Sequence, residues 1–453
     1  MSAICDDFER SLRFVEPRAA AMRDMEAMIE KYNFNKVPAL GRQFKKQSKP
    51  GKERVVLTGT TGALGTYLIA LLLQNDSVEK IWALNRGSSG LMERQRASFE
   101  DKKLDTELLK DKRLVLLKGN LVDEKLGLDM EDLDDIRETA TIFIHNAWPV
   151  NFNMRLHAFE PNIKGTYNLL DVAASSNAPT GPPRFMFTSS YTVGGSVKIA
   201  ARLLETPLAT EVVADAMGYG QSKFVVEKIL ESARASGLVT CIIRLGQLTG
   251  DNISGSWSPD HWFPRMVATS LSTGCLPDVI GSVSWLPLIS AAQSIIDVCM
   301  VLPSDLPAVI HVSHPQPIEW AQISSWVAEA LWTRGGNGRQ LPKLRFKEWA
   351  QQTKRMVSAH GLSEVEKYKH FPFTRIGGMM EDFADGDEWM RSQLTSIGVE
   401  PFTLKHLDIS QGRRWCPSLR NVPQLGQSHV IMWMRYWERK GLFSNALVPK
   451  ASL

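Results

Sequence analysis

The run Val55-Val56-Leu57-Thr58-Gly59-Thr60-Thr61-Gly62-Ala63-Leu64-Gly65 leaves little freedom in what it can form. Its β-branched and aliphatic start reads as a short buried strand, and Thr66 to Leu73, apolar almost throughout, reads as a buried helix. A strand, a glycine turn and a helix in that order hold a dinucleotide pyrophosphate. The helix N-terminus presents free N–H groups and a partial positive charge, and residues without side chains let the phosphates approach. Gly59 suits the tight turn, Gly62 the close approach and Gly65 the packing of helix on strand; Thr61, Ala63 and Leu64 complete the candidate phosphate loop. The spacing is G-x-x-G-x-x-G rather than G-x-G-x-x-G. Glycine-rich loops also occur as plain turns, so the flanking strand and helix carry the reading.

The same alternation continues. Strands are expected at Lys80–Asn85, Leu114–Leu117, Thr141–Ala147, Arg184–Ser190 and Val239–Arg244, with helices at Asn162–Ala174 and Gly218–Ser232 between them. Strand and helix in turn mean a parallel, doubly wound α/β sheet of the Rossmann type. An NAD enzyme tends to carry an acid on the ribose about 20 residues past the glycine loop. Asn85 and Arg86 stand there instead, and a guanidinium favours a 2′-phosphate, so the reading is NADPH. Arg94 and Arg96, on the charged helix that follows, offer a second phosphate contact, with Arg96 the chosen site residue, against the plainer reading of exposed helical arginines. Asn120, with Leu121, is the candidate for the adenine edge, and Asn146 and Ala147 end the fourth strand where the cofactor would cross.

Past Gly250 the rhythm changes to Trp, Pro, Ser and Gly, and the tail from Ile318 reads as mostly helical. The expected division is an N-terminal helix and linker over 1–50, an NADP-binding domain over 51–250, and a smaller, mostly helical substrate subdomain over 251–453. A helix at Ser290–Val301 and a strand at Ala308–Val312 bring the chain back to the sheet near 286–314. Gln247, Trp257 and Trp262 are candidate substrate contacts, with Phe263 beside them. The tryptophans of this region are otherwise expected to be core. The net charge of +4 over 453 residues argues for no nucleic-acid or membrane partner, and no apolar run approaches the length of a span. The five cysteines lie far apart and read as reduced, structural thiols in a cytoplasmic protein, and the nine histidines show no metal-ligand spacing.

Chemistry is read from Ser190, at a strand end, and from Tyr219 and Lys223, four apart on one helix face. A lysine ammonium beside a phenol is expected to lower the tyrosine pKa, so that the phenol exchanges a proton with an oxygen on a carbon gaining or losing hydride. Ser190 would hold that same oxygen, and Lys223 would also bond the nicotinamide ribose. A lone Y-x-x-x-K is common by chance; after a glycine-loop strand, an Asn-Ala strand end and a Ser-Ser strand end, it is specific.

Together Thr58–Gly65, Asn85-Arg86, His145-Asn146-Ala147-Trp148, Thr188-Ser189-Ser190, Tyr219-Gly220-Gln221-Ser222-Lys223 and Arg244–Gly250 resemble an extended short-chain dehydrogenase/reductase. More narrowly, with Val150–Asn153, Phe159–Gly165, Gly255-Ser256-Trp257 and Val283–Pro287, they resemble the thioester reductase domain of fungal non-ribosomal-peptide-synthetase-like and adenylate-forming reductases. The resemblance covers about residues 20–320. It implies NADPH-dependent reduction of an acyl thioester, held on a phosphopantetheinyl carrier or on CoA, in fungal secondary metabolism. Hydride addition gives a hemithioacetal that collapses to an aldehyde and a thiol, with reduction to the alcohol also open. Many relatives carry Asp where Asn120 stands, which leaves the adenine contact open. The chain holds no adenylation domain or carrier site, so it reads as an excised domain or as a free-standing reductase supplied from elsewhere. The rival readings are an aldehyde or ketone reductase, a nucleotide-sugar epimerase or dehydratase on the same scaffold, or a redox-sensing binding protein that has lost catalysis.

Overall fold

Apolar runs with no polar alternation become strands buried on both faces, as a parallel sheet covered by helices requires. The computed structural model describes residues 18–35, 52–87, 90–178, 181–196, 202–335, 341–359, 361–376, 378–393, 400–403 and 406–445. Its main sheet has seven strands: β1 (Glu53–Thr58), β2 (Val78–Asn85), β3 (Leu114–Lys118), β4 (Ile142–His145), β5 (Arg184–Ser190), β6 (Val239–Leu245) and β7 (Val309–Val312). Their order is β3-β2-β1-β4-β5-β6-β7, parallel throughout. The chain steps outward from β1 to β3 and then returns to lay β4 beside β1. That reversal opens a crevice at the strand carboxyl ends. Most of the expected strand and helix positions hold to within a few residues, and β7 is the expected return of the chain.

The helices that position the site are α1 (Arg18–Lys31), α2 (Ala63–Leu73), α3 (Leu91–Asp101), α4 (Glu160–Ala174), α5 (Gly218–Ala235), α6 (Trp262–Thr273), α7 (Leu288–Cys299) and α8 (Gln427–Arg439). Helix α2 is buried almost all round, which its unbroken apolar sequence demands. One face of the sheet packs with α4 and α5, and α1 adds Met25 and Met28 to that layer, followed by Phe34. The other face packs with α2 and α7.

A separate aromatic core holds the C-terminal subdomain. Trp257 lies 5.0 Å from Trp433 and 5.6 Å from Trp285, ring centre to ring centre, in edge-on arrangements that such rings favour. Two of its buried indole N–H groups find backbone carbonyls: Trp433 donates to Gly250 at 2.7 Å and Trp437 to Trp257 at 2.9 Å. Helix α8 thereby closes over the turn that follows β6.

Side chains do not divide at residue 250. Besides the return at β7, His406–Leu407 pairs with Arg202–Leu203, and Cys416, Leu419 and Val422 pack into the α2–α7 layer of the sheet. The sequence reading assigned that tail to the substrate subdomain alone. The four described cysteines, Cys241, Cys275, Cys299 and Cys416, are buried and unpaired; Cys5 and most of the Lys45–Lys52 linker lie outside the described residues. Among the described residues no helix is long and apolar enough to cross a membrane, and no cluster of ligating side chains could hold a metal ion.

The most constrained polar contact is the pair Glu227–Arg244, both side chains fully buried and 2.7 Å apart. Glu227 also accepts from the Ser189 hydroxyl at 2.5 Å. Arg244 donates further to the Leu204 carbonyl and to His311 Nε2. Removing one partner of such a pair strands a buried charge. Arg244→Ala should therefore lower the unfolding free energy by about 3–5 kcal/mol, read by urea denaturation. The double replacement Glu227→Leu/Arg244→Met should cost much less than the single one.

Candidate active site

Every element expected to carry chemistry ends at the crevice, which forms one continuous cavity of about 880 Å³. At one end lies the glycine loop. Gly59 has φ +73°, and a β-carbon there would stand 2.8 Å from the Ala147 backbone. The loop thus abuts the Asn146-Ala147 turn, whose Asn146 amide donates to the Gly59 carbonyl. Thr61, Gly62, Ala63 and Leu64 line the floor of the cavity. Helix α2 begins at Gly62 without a side-chain cap, so its first N–H groups are free for an anion. Gly65 does not line the cavity; a β-carbon there would overlap the Gly59 carbonyl, so its place is the packing of helix on loop. These features fit a dinucleotide pyrophosphate.

Past β2, Asn85 is buried. It accepts the Thr60 N–H at 3.1 Å and donates to the Thr60 hydroxyl at 2.6 Å, so it staples the glycine loop. Arg86 lines the cavity. Of the two helical arginines, Arg94 lines it and donates to the Arg86 carbonyl at 2.8 Å, whereas Arg96 is exposed and off the cavity. The reason is the register of α3. Gln95, buried against Thr60, turns its two neighbours to opposite sides. Asn120, Leu121, Asn146 and Ala147 line the same half of the cavity.

Ser190, Tyr219 and Lys223 meet at its centre. Ser190 Oγ accepts from the Thr192 N–H at 3.3 Å and from the Thr192 hydroxyl at 3.0 Å, leaving its own proton to donate into the site. The Tyr219 ring packs edge-on against Phe152 and Phe159. Burial raises its phenol well above the ordinary range, with a hydrogen bond from Ser190 opposing. This corrects the expectation that Lys223 acidifies it. Lys223 Nζ donates to the Thr188 carbonyl at 2.6 Å and lies 4.5 Å from the ring centres of both Trp148 and Phe187. Burial holds its own pKa well below the usual lysine range, with Glu227 one turn along opposing. Tyr219 is thus a protonated donor at neutral pH.

His145, at the end of β4, is fully partnered. Thr166 Oγ1 already donates to the Asn162 carbonyl, so it accepts from His145 Nε2–H at 3.0 Å. Thr58 Oγ1 accepts the Asn146 and Ala147 N–H groups, so its proton goes to His145 Nδ1 at 2.9 Å. The imidazole is neutral, and burial, with Lys223 next, takes its pKa down to about 3. This network fixes the turn against which Gly59 rests.

The far half of the cavity is lined by Gln247, Trp257 and Trp262. Both ends of the Gln247 amide are used, donating to Leu248 O and accepting from Trp262 Nε1. Trp262 packs flat on Trp320. Phe263 is buried in the aromatic core and does not reach the cavity. Tyr191 and His261 are among the lining residues that escaped the sequence reading. Tyr191 follows the Ser-Ser strand end directly, a position that could have drawn notice. His261, alone between Asp260 and Trp262, carried no pattern that separates it from an ordinary core histidine.

A doubly wound sheet, a glycine loop under a helix N-terminus and a Ser-Tyr-Lys cluster define an oxidoreductase built for a nicotinamide dinucleotide, of the extended short-chain dehydrogenase/reductase class. The chain belongs to the NAD-binding family described as male sterility protein, whose model matches residues 57–299. Among curated proteins it is similar to adenylate-forming reductase Nps11 of Serpula lacrymans, 37% identical over 398 residues, which are 86% of this chain and 35% of that protein. The chain thus spans about a third of the length of that relative. Among solved structures it is similar to the terminal R domain of the myxalamid PKS-NRPS pathway, with TM-score 0.72 at 21% identity over 94% of this chain and 99% of that one. It is also similar to an archaeal thiolation-reductase di-domain, with TM-score 0.66 at 18% identity over 97% and 83%.

The neutral His145 makes a pH prediction. Its pKa of about 3 when folded lies below the ordinary 6.5. Between the two, the unfolded chain binds a proton that the folded chain refuses, so folding weakens as pH falls below about 6.5. His145→Asn keeps an acceptor for Thr58 and a donor for Thr166 but does not titrate. Its stability deficit against the parent should shrink by about 1.4 kcal/mol per pH unit between pH 6 and 4, measured by urea denaturation. A deficit that stays constant would mean that the folded protein protonates this imidazole.

Proposed function

We propose that this chain is an NADPH-dependent thioester reductase that releases an acyl group as an aldehyde from a phosphopantetheinyl carrier or from CoA. The observation that carries the reading is a single cavity. It runs from the glycine loop and Arg86, past Ser190, Tyr219 and Lys223, to a pocket walled by Trp257 and Trp262. A reduced nicotinamide, when bound, supplies the hydride. The chain's own residues supply the rest. Ser190 and Tyr219, which share a hydrogen bond in the free chain, turn their protons to the carbonyl oxygen as negative charge develops on it, where fixed donors in a dry site stabilise most. Lys223 stands beside them and would bond a ribose hydroxyl. The resulting hemithioacetal collapses to aldehyde and thiol. Similar solved structures, a terminal R domain of a PKS-NRPS pathway and a thiolation-reductase di-domain of a non-ribosomal peptide synthetase, support a carrier-borne substrate. The absence of an acid at Asn85-Arg86 speaks against the NAD-dependent epimerase reading.

The test is product analysis with NADPH and acyl thioesters linked to pantetheine, CoA and a carrier protein. Aldehyde with matched NADPH consumption is expected; consumption with free aldehydes or ketones alone would overturn the reading.

Arg86→Ala removes a charge-assisted phosphate contact and should weaken NADPH binding by about 1.5–3 kcal/mol while leaving NADH nearly unchanged. Equal affinity of the parent for the two cofactors, by calorimetry, would sink the choice of NADPH.

Tyr219→Phe keeps the ring against Phe152 and Phe159, so folding and cofactor binding should survive. Turnover should fall by roughly 10²–10⁴-fold, with the low end expected because Ser190 still donates to the oxygen. A folded, NADPH-binding variant with undiminished thioester reduction would remove Tyr219 from the chemistry.

A further inference from the structure

Two histidines line the cavity, His145 and His261. The first spends both ring nitrogens on Thr58 and Thr166. The second does not. Trp257 Nε1 lies 2.9 Å from His261 Nδ1. An indole N–H only donates, so Nδ1 is the acceptor and carries no proton. The neutral ring must then hold its proton on Nε2. Among the described residues Nε2–H has no protein partner and is not sealed in the core, and the residue lies on the cavity wall.

Four features keep the ring neutral and still. Protonating Nδ1 would break the bond to Trp257. His261 is also the N-cap of the twelve-residue α6, and a helix N-terminus disfavours a cation. Burial lowers its pKa to about 4, with Asp260 opposing and Arg265 assisting. The ring packs edge-on to Trp257, 6.5 Å between centres. A polar N–H fixed in a cavity wall is costly to leave without an acceptor once ligand excludes water.

Resting on the reductase reading, we propose that His261 is a specificity-determining residue whose Nε2–H donates a hydrogen bond to a neutral oxygen acceptor of the bound thioester. Two parts of a thioester carry such an oxygen: a hydroxyl, ether or carbonyl substituent on the acyl group, and the amide carbonyls of the pantetheine arm. A plain hydrocarbon leaves the donor unpaired. An ammonium group, which only donates, is mismatched.

The test uses the full chain with NADPH and four thioesters. A hydroxyl-bearing acyl group and its methyl isostere are each linked to pantetheine and to ethanethiol, which has no amide. Three proteins are compared: the parent, His261→Phe, and His261→Gln, whose amide can both accept from Trp257 and donate to ligand. His261→Phe should lower kcat/KM about tenfold for substrates with the matched oxygen and less than twofold for those without it, with NADPH affinity unchanged. His261→Gln should recover most of the loss. A loss confined to the hydroxyl partner of each pair assigns the acceptor to the acyl group. A loss confined to pantetheine over ethanethiol assigns it to the arm. Equal loss on all four thioesters, as from a purely structural role, or no loss on any, would overturn the proposal while the reductase reading stands. Should the parent reduce none of the four or their carrier-linked forms, the reductase reading falls and the proposal with it.

Discussion

The site depends on one buried ion pair. Removing two charges from water costs several kcal/mol each, and only full pairing offsets it. Glu227 and Arg244 meet that condition. The carboxylate is shared between Ser189 and the guanidinium, and the guanidinium reaches on to Leu204 and His311. These contacts tie α5 to the ends of β5, β6 and β7. Tyr219 and Lys223 lie two turns and one turn before Glu227 on α5, and Ser190 follows Ser189 on β5. The pair therefore fixes the rotation of the helix against the strand end, which is what brings the hydroxyl, the phenol and the ammonium together. A hydrophobic substitute would pack there but would not set that rotation.

Charge in the cavity is arranged for an oxygen that becomes negative. Burial keeps Tyr219 protonated and His145 neutral. Ser190 has spent its lone pairs on Thr192 and can only donate. Lys223 rests against the faces of Trp148 and Phe187, where ring quadrupoles attract a positive charge. The same burial that strengthens these donors weakens the hold on the lysine proton. Glu227, one turn away, counters that loss. The ion pair that orients α5 thus also acts on the electrostatics of the reacting centre.

What was legible in the sequence is what short chain segments decide. The glycine loop, the Asn-Ala and Ser-Ser strand ends and the Tyr219–Lys223 spacing each lie within one element, and the order of elements fixes the crevice. The choice between Arg94 and Arg96 was not legible, because the register of α3 is set by Gln95 docking on a loop 35 residues earlier. The acidity of Tyr219 was not legible because spacing brings a lysine near but says nothing of desolvation, which burial imposes on the phenol. The return of 406–422 to the sheet rests on a two-residue strand pair and three apolar side chains, too little pattern to read. His261 gained its meaning from Trp257, whose N–H decides its tautomer.

The acyl end of the cavity has walls that are also core. Trp257 is fully buried among Trp285, Trp433 and Trp437, yet one edge reaches the cavity. Trp262 packs on Trp320, Phe383 and Phe402, and its N–H is tied through Gln247 to the start of the Leu248–Thr249 strand. Truncating such a side chain leaves a void whose cost is on the order of 3–5 kcal/mol, so the pocket cannot widen there without loosening the subdomain. Asp260 is different. It lines the same cavity with its side chain 75% exposed, and its partner Arg265 reaches it from α6. Substitution there reshapes the entrance without opening the core. Substrate range can therefore vary at the rim while the aromatic wall, with the imidazole it orients, stays constant.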